Sequence, residues 1–271
     1  MSADILDGRA VAAAVESELR ARVARLASAP RLAVVQVGDD PASTSYIRAK
    51  SRAAERVGIK LAHHHLPAGT SLAKLEALVE QLNSSEHGLI VQLPLPDRLE
   101  PALVRIAPER DVDGFHPVNL GKLLRGEPAL RPCTPAGIME LLERSGHSPA
   151  GKHAVIVGRS NIVGKPLAVM LTQANATVTV CHTATAELAH HTRQAELLIV
   201  AAGQPDTVAP EMVRPGATVV DVGVNRTAAG FVGDCAPGVA EVAGALTPVP
   251  GGVGPMTVAM LMANTVAAAQ D

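Results

Sequence analysis

The run Ala154-Val155-Ile156-Val157-Gly158-Arg159-Ser160-Asn161-Ile162-Val163-Gly164-Lys165-Pro166-Leu167 reads as a strand, a glycine turn and the first turns of a helix. Gly158 lets the chain turn tightly out of the strand, and Gly164 lets backbone and helix pack closely. Pro166 sits in the first helical turn, where it lacks no needed donor. Free N–H groups and the dipole at that helix N-terminus suit a pyrophosphate. The spacing is Gly-x-Ser-x-x-x-Gly, so the dinucleotide fingerprint Gly-x-Gly-x-x-Gly is only partly met. A lone turn of this kind is more often an ordinary βα connection without a ligand.

The end of the next strand shifts that balance. NAD-binding units place an Asp or Glu there, about 20 residues on, to hold the ribose 2′-hydroxyl. Here the strand ends Cys181-His182-Thr183 without an acid, and Arg159 follows the first glycine. A guanidinium, an imidazole and a hydroxyl suit a 2′-phosphate, which points to NADP as cofactor.

Outward from this unit, short apolar runs alternate with helical patterns, the signature of an α/β fold with parallel sheets. Toward the N-terminus, helices are expected over 10–27, 43–57, 72–82 and near 100–106. Strands are expected over 32–37, near 60–61 and over 88–93. The Gly/Pro-rich passage 121–135 reads as a boundary, followed by a helix to about Arg144. Strands are expected at 154–157, 177–181, 197–201 and 218–222, and a last helix ends near Ala269.

The chain has 271 residues, 47% of them hydrophobic, enough to bury a core without staples. Its net charge of −2 gives no footprint for nucleic acid or an anionic membrane. Cys133, Cys181 and Cys235 are odd in number and far apart, as in a reducing compartment. The N-terminus lacks the basic-then-apolar order of a signal peptide, and the apolar stretch 258–269 is shorter than the roughly 20 residues of a membrane helix. We therefore expect a soluble, cytoplasmic protein. No metal site is expected, because His63, His64 and His65 alternate faces on a strand and His190-His191 has the same problem.

With two Phe, no Trp and a single tyrosine, the chain directs attention to Tyr46. Tyr46 and Lys50 are spaced i, i+4 on an expected helix and share a face, although most such pairs are surface pairs. Gln92 lies at the C-terminal end of a strand, where open α/β sheets bind ligands. A lysine in a partly dry cleft loses proton affinity and can serve as acid and base near neutral pH. Gln92 could orient it, and Asp113 could hold a polar heterocycle, although Asp111-Val112-Asp113-Gly114 also suits a plain turn.

Several stretches then fall in one order: Ala42-Ser43-x-x-Tyr46-x-x-x-Lys50, Val91-Gln92-Leu93-Pro94-Leu95-Pro96, Asp111 to Pro117, and Cys133-Thr134-Pro135-x-Gly137. Val157 to Pro166, Cys181-His182 and Pro248 to Thr257 follow. Together, over nearly the whole chain, they resemble the bifunctional methylenetetrahydrofolate dehydrogenase/cyclohydrolases. The resemblance implies a folate-binding catalytic domain, 1–121 with 256–271, and a Rossmann-like NADP-binding domain, 122–255, with the active-site cleft between them. It implies tetrahydrofolate derivatives as substrates and a homodimer. Lys50 would be the general acid/base of the cyclohydrolase step, Tyr46 would stack on the folate rings, Gln92 would position Lys50, and Asp113 would bind the pterin. Gly158, Arg159, Ser160, Gly164, His182, Thr183 and Val224 would line the NADP site, and Gly252, Pro255 and Thr257 would border the substrate. Two departures stand out. Thr183 replaces a more usual Ser, and Cys235-Ala236-Pro237-Gly238 follows Gly233-Asp234 in place of a Val-Asp or Val-Ala continuation, which affects loop geometry.

Two readings from other classes accompany this one. One is an NADP oxidoreductase of a small cyclic hydroxy acid, with a Lys–Asp pair. The other is a folate- or nucleotide-binding module without turnover.

Overall fold

The structure, a computed structural model, describes residues 3–228 and 230–270, apart from the side chain of Ala42. The chain opens with β1 (Asp4–Ile5) and α1 (Gly8–Val23), then runs β2 (Arg31–Val37), α2 (Pro41–Val57), β3 (Lys60–Leu66), α3 (Leu72–Ser85) and β4 (Gly88–Val91). A 3-10 helix, Asp97–Arg105, leads to α4 (Pro117–Arg125) and α5 (Cys133–Arg144). Next come β5 (His153–Val157), α6 (Gly164–Gln173), β6 (Thr177–Cys181), α7 (Leu188–Thr192), β7 (Leu197–Val200) and β8 (Thr218–Asp221). The hairpin β9 (Asn225–Thr227) and β10 (Gly230–Val232), then α8 (Val239–Val242), β11 (Ala245–Leu246) and α9 (Val253–Ala268), complete it.

These elements form two compact units. One holds residues 3–12 with Thr134–Thr257, the other Ala13–Cys133 with 258–270. The bounds differ from those expected at both ends. Residues 3–12 fall with the nucleotide unit because β1 pairs in parallel with β11. Residues 122–133 fall with the other unit, to which the peptide N–H of Cys133 is tied through the Asp113 carbonyl at 3.3 Å.

In the unit built on Ala13–Cys133, a three-stranded parallel sheet runs in the order β3-β2-β4. Leu32 to Val35 are fully buried, as strands covered on both faces require. Leu75, Val79 and Leu82 of α3 pack on Ala33, Val35 and Leu89. Helix α2 starts sharply because Asp40 accepts the Ser43 N–H at 2.7 Å and Pro41 stands in the first turn. That start fixes where Tyr46 and Lys50 fall on the helix.

The other unit is a six-stranded parallel sheet in the order β1-β11-β8-β7-β5-β6. Its core joins Val155, Val157, Leu198, Val200 and Val219, all β-branched or leucine residues suited to buried parallel strands.

Three local expectations need correcting. The segment near 100–106 is a 3-10 helix, since Pro101 removes an N–H from the α-helical ladder. The supposed boundary 121–135 begins inside α4, capped by His116 and Pro117 at its start and by Gly126, at φ 74°, at its end. Strand β3 runs to Leu66 and takes in all three histidines, in register with Val34 to Gln36.

Candidate functional site

Two groups of sequence-nominated residues emerge, one in each unit. In the first, Lys50 is nearly buried, 9% exposed, while Tyr46 one turn earlier is 49% exposed. The Lys50 ammonium donates to Gln92 Oε1 at 2.9 Å. Gln92 Nε2 donates to the Leu93 carbonyl at 2.8 Å, so both ends of the amide are assigned by their partners. The expectation that Gln92 lies at a strand's C-terminal end holds geometrically, since it follows β4 directly.

Asp113 belongs to the same group. Burial raises its carboxyl above the usual range; the Lys50 ammonium opposes this and the Asp111 carboxylate adds to it. The side chain lines a cavity of about 220 Å³ together with Val91, Leu93, Val104 and Phe115. That is below the roughly 300–1,000 Å³ of a whole small-molecule site, so the cavity has room for part of a ligand.

The supports of Asp113 were not read from the sequence. Asp111, buried, accepts from the His116 N–H at 2.7 Å and from Asn119 Nδ2 at 3.0 Å, which fixes the turn. From α9, Asn264 Nδ2 donates to the Val112 and Arg131 carbonyls at 2.8 and 2.9 Å. The buried Cys133 thiol donates to the Val112 carbonyl at 3.2 Å, and burial followed by the Asp113 charge pushes its pKa well up.

The second group gathers at the C-terminal ends of β5 and β6. Gly158 adopts φ 133°, and a Cβ there would lie 2.2 Å from the Ala201 carbonyl oxygen. A Cβ at Gly164 would lie 2.1 Å from the Gly158 carbonyl oxygen, which is the close helix packing expected of it. Ser160 Oγ accepts from the Val163 and Gly164 N–H groups at 3.1 and 3.4 Å, and so keeps its proton to donate elsewhere. His182 Nδ1 accepts from the Ala184 N–H at 3.2 Å, which leaves its proton on Nε2. Arg159, Thr183 and Val224 are exposed. A guanidinium, an imidazole N–H and two hydroxyls beside a helix N-terminus form a donor set that fits the phosphates of a nicotinamide dinucleotide.

Gly252, Pro255 and Thr257 are all in this second unit. The Gly252 N–H donates to the Pro248 carbonyl at 2.8 Å, and Pro255 stands in the first turn of α9. Thr257 Oγ1 lies 2.9 Å from Thr134 Oγ1.

Comparison with known proteins gives the same two functions to the central parts of the two units, while assigning the chain's two ends the other way round. Residues 6–113 match the catalytic domain of tetrahydrofolate dehydrogenase/cyclohydrolase, and residues 132–271 match its NAD(P)-binding domain. The bifunctional protein FolD of Nitratidesulfovibrio vulgaris is 55% identical over 275 residues, covering 97% of this chain and 96% of that protein. The crystal structure of the Campylobacter jejuni FolD dehydrogenase/cyclohydrolase superposes with a TM-score of 0.96 at 46% identity, covering 99% of each chain. The Trypanosoma brucei enzyme, solved with NADP cofactor and inhibitor, gives 0.93 at 40% identity over 100% of this chain and 98% of that one.

The fold and the two sites define a two-unit α/β oxidoreductase with a nucleotide-binding sheet. The chain belongs to the tetrahydrofolate dehydrogenase/cyclohydrolase family and is a bifunctional enzyme of folate one-carbon chemistry. Family membership removes both other readings, the cyclic hydroxy acid oxidoreductase and the module without turnover. Among the described residues, no helix is long and apolar enough to cross a membrane.

Proposed function

We propose that the chain oxidises 5,10-methylenetetrahydrofolate with NADP⁺ and hydrolyses the resulting methenyl form to 10-formyltetrahydrofolate, with Lys50 as the general acid/base of the second step. The observation that carries the assignment is the nearly buried Lys50 ammonium fixed on Gln92. Folate chemistry falls to the unit of residues 13–133 with 258–270, and nucleotide binding to the unit of residues 3–12 with Thr134–Thr257.

When bound, NADP⁺ supplies the hydride acceptor. Arg159, Ser160, His182 and Thr183 would hold its 2′-phosphate and neighbouring oxygens, while Gly158 and Gly164 let the turn pack closely enough to offer the N-terminus of α6 to the pyrophosphate, and Val224 lines the same site. In the oxidation the chain's task is alignment, because the substrate nitrogen lone pair drives hydride departure. Tyr46 offers an exposed ring for stacking, and Asp113 offers a carboxyl for the pterin at a cavity of partial-ligand size. Gly252, Pro255 and Thr257 would border the substrate.

Hydrolysis moves protons. Water adds to the methenyl carbon, a carbon–nitrogen bond opens, and one proton is released for each cation consumed. As the free amine Lys50 takes a proton from the attacking water, and as the ammonium, held on Gln92, it returns one to the departing nitrogen, while the proton of the new hydroxyl leaves to solvent as the formyl C=O forms. We further propose a cytoplasmic homodimer. The three cysteines, all free thiols, support a reducing compartment, and the dimer rests on the resemblance noted above.

The test mixes the protein with 5,10-methylenetetrahydrofolate and NADP⁺, with NAD⁺ in parallel, and follows reduced nicotinamide together with methenyl absorbance. NADPH without lasting methenyl, above a no-enzyme control, is expected. NADPH with persistent methenyl would remove Lys50 from its role.

A further inference from the structure

Two buried carboxylates, Asp221 at the C-terminal end of β8 and Asp234 beyond it, are used by no step above. Asp221, 5% exposed, accepts the N–H groups of Gly223, Asp234 and Cys235 at 3.0, 2.9 and 2.9 Å. Asp234 is fully buried. Its Oδ2 accepts the N–H groups of Ala202 and Gly203 at 2.7 and 2.8 Å, and its Oδ1 accepts Asn225 Nδ2 at 2.8 Å. A Cβ on Gly223 would lie 2.2 Å from Asp234 Oδ1, so the carboxylate fills space that only glycine leaves.

The residues joined in this way follow two adjacent parallel strands. Ala202 and Gly203 continue from Ala201, whose carbonyl oxygen crowds the Gly158 turn, and Asn225 follows Val224. In open α/β sheets ligands meet the carboxyl ends of the strands. We infer that Asp234 is a positioning residue for NADP, its carboxylate clamping the loop after β7 to the loop after β8 and fixing both against the Gly158 turn. The inference rests on the NADP reading of this site.

Asp234→Asn tests it. A carboxylate accepts on two oxygens and an amide on one, so one of the two loops must lose its anchor. We expect faster deuterium exchange at the Ala202 and Gly203 amides, or a detached Asn225 amide in the nitrogen–proton spectrum. We also expect about tenfold weaker NADP⁺ binding by calorimetry, the equivalent of one lost hydrogen bond. Asn225→Ala releases the β8 side alone, and is expected to weaken NADP⁺ severalfold while the Ala202 and Gly203 amides stay protected. It reads the clamp even if Asp234→Asn does not fold. An unchanged NADP⁺ affinity in the folded variants, with lowered thermal midpoints, would make Asp234 structural and overturn the inference. If the wild-type chain bound no NADP⁺, the cofactor reading would fall and take the clamp's role with it.

Discussion

Lys50 Nζ and Gln92 Oε1 stand 2.9 Å apart, and the other end of that amide is held by the Leu93 carbonyl at 2.8 Å. The amide cannot turn without breaking both bonds, so the ammonium is placed by the backbone that follows β4. Replacing Lys50 by Met removes the charge and the proton while keeping an unbranched side chain. Hydrolysis of methenyltetrahydrofolate is expected to fall by about 10²–10⁴-fold, the usual worth of general acid–base catalysis. Dehydrogenase activity persists if the substrate still aligns. Hydrolysis at the wild-type rate would end the assignment.

Asp113 separates stability from function. Burial raises its carboxyl, so the ionised form is disfavoured in the folded chain relative to the unfolded one. The folded state then binds the proton more tightly, and its penalty is greatest once pH exceeds the raised value. Asp113→Asn removes that penalty. Its thermal midpoint at pH 7 is expected to match or exceed wild type, by about 2 °C for roughly 0.5–1 kcal/mol. The gain is expected to vanish on acidification to the ordinary Asp range. Folate turnover is expected to drop at the same time. A midpoint well below wild type at neutral pH would contradict this.

For the nucleotide unit, exposed Arg159 is the test residue. Arg159→Ala is expected to raise the KM for NADP⁺ by about 10–100-fold, the range for a hydrogen bond to a charged group, and that for NAD⁺ far less. Equal effects on both cofactors would take Arg159 away from the 2′-phosphate.

All three thiols are pushed above their ordinary range, chiefly by burial, and at Cys235 the Asp221 carboxylate adds to it. Little thiolate is present near neutral pH, so a disulfide reagent is expected to react slowly with the native chain and to titrate all three cysteines after unfolding. A fast thiol in the native protein would show that one of these sites is open.

The parallel sheets were legible because apolar runs such as Leu32–Val35 and Val155–Val157 are buried on both faces and show it as unbroken apolar sequence. Helix α4 was lost among glycines and prolines that were in fact its caps. Strand β3 escaped because three consecutive histidines on an exposed edge carry no alternation. Lys50, Gln92 and Asp113 were readable as reactive types near strand ends and turns. Their supports were not, because Asn264 reaches the Val112 and Arg131 carbonyls from far along the chain, and Asp111 and Asn119 meet across a turn at no helix or strand spacing. Asn264 did carry one signal, a lone amide in an apolar helix. Asp234 carried less, since its partners are mostly main-chain groups of any residue type.

Strand β1 comes from residues 4–5 but completes the nucleotide-binding sheet beside β11. A fragment cut to start at Thr134 would keep every residue of the glycine turn and still expose the Ala245–Leu246 edge, a row of unpaired peptide groups ready to recruit another chain. Anyone wishing to produce that half in isolation would therefore have to graft the first dozen residues back on, for instance by circular permutation; a plain truncation invites aggregation.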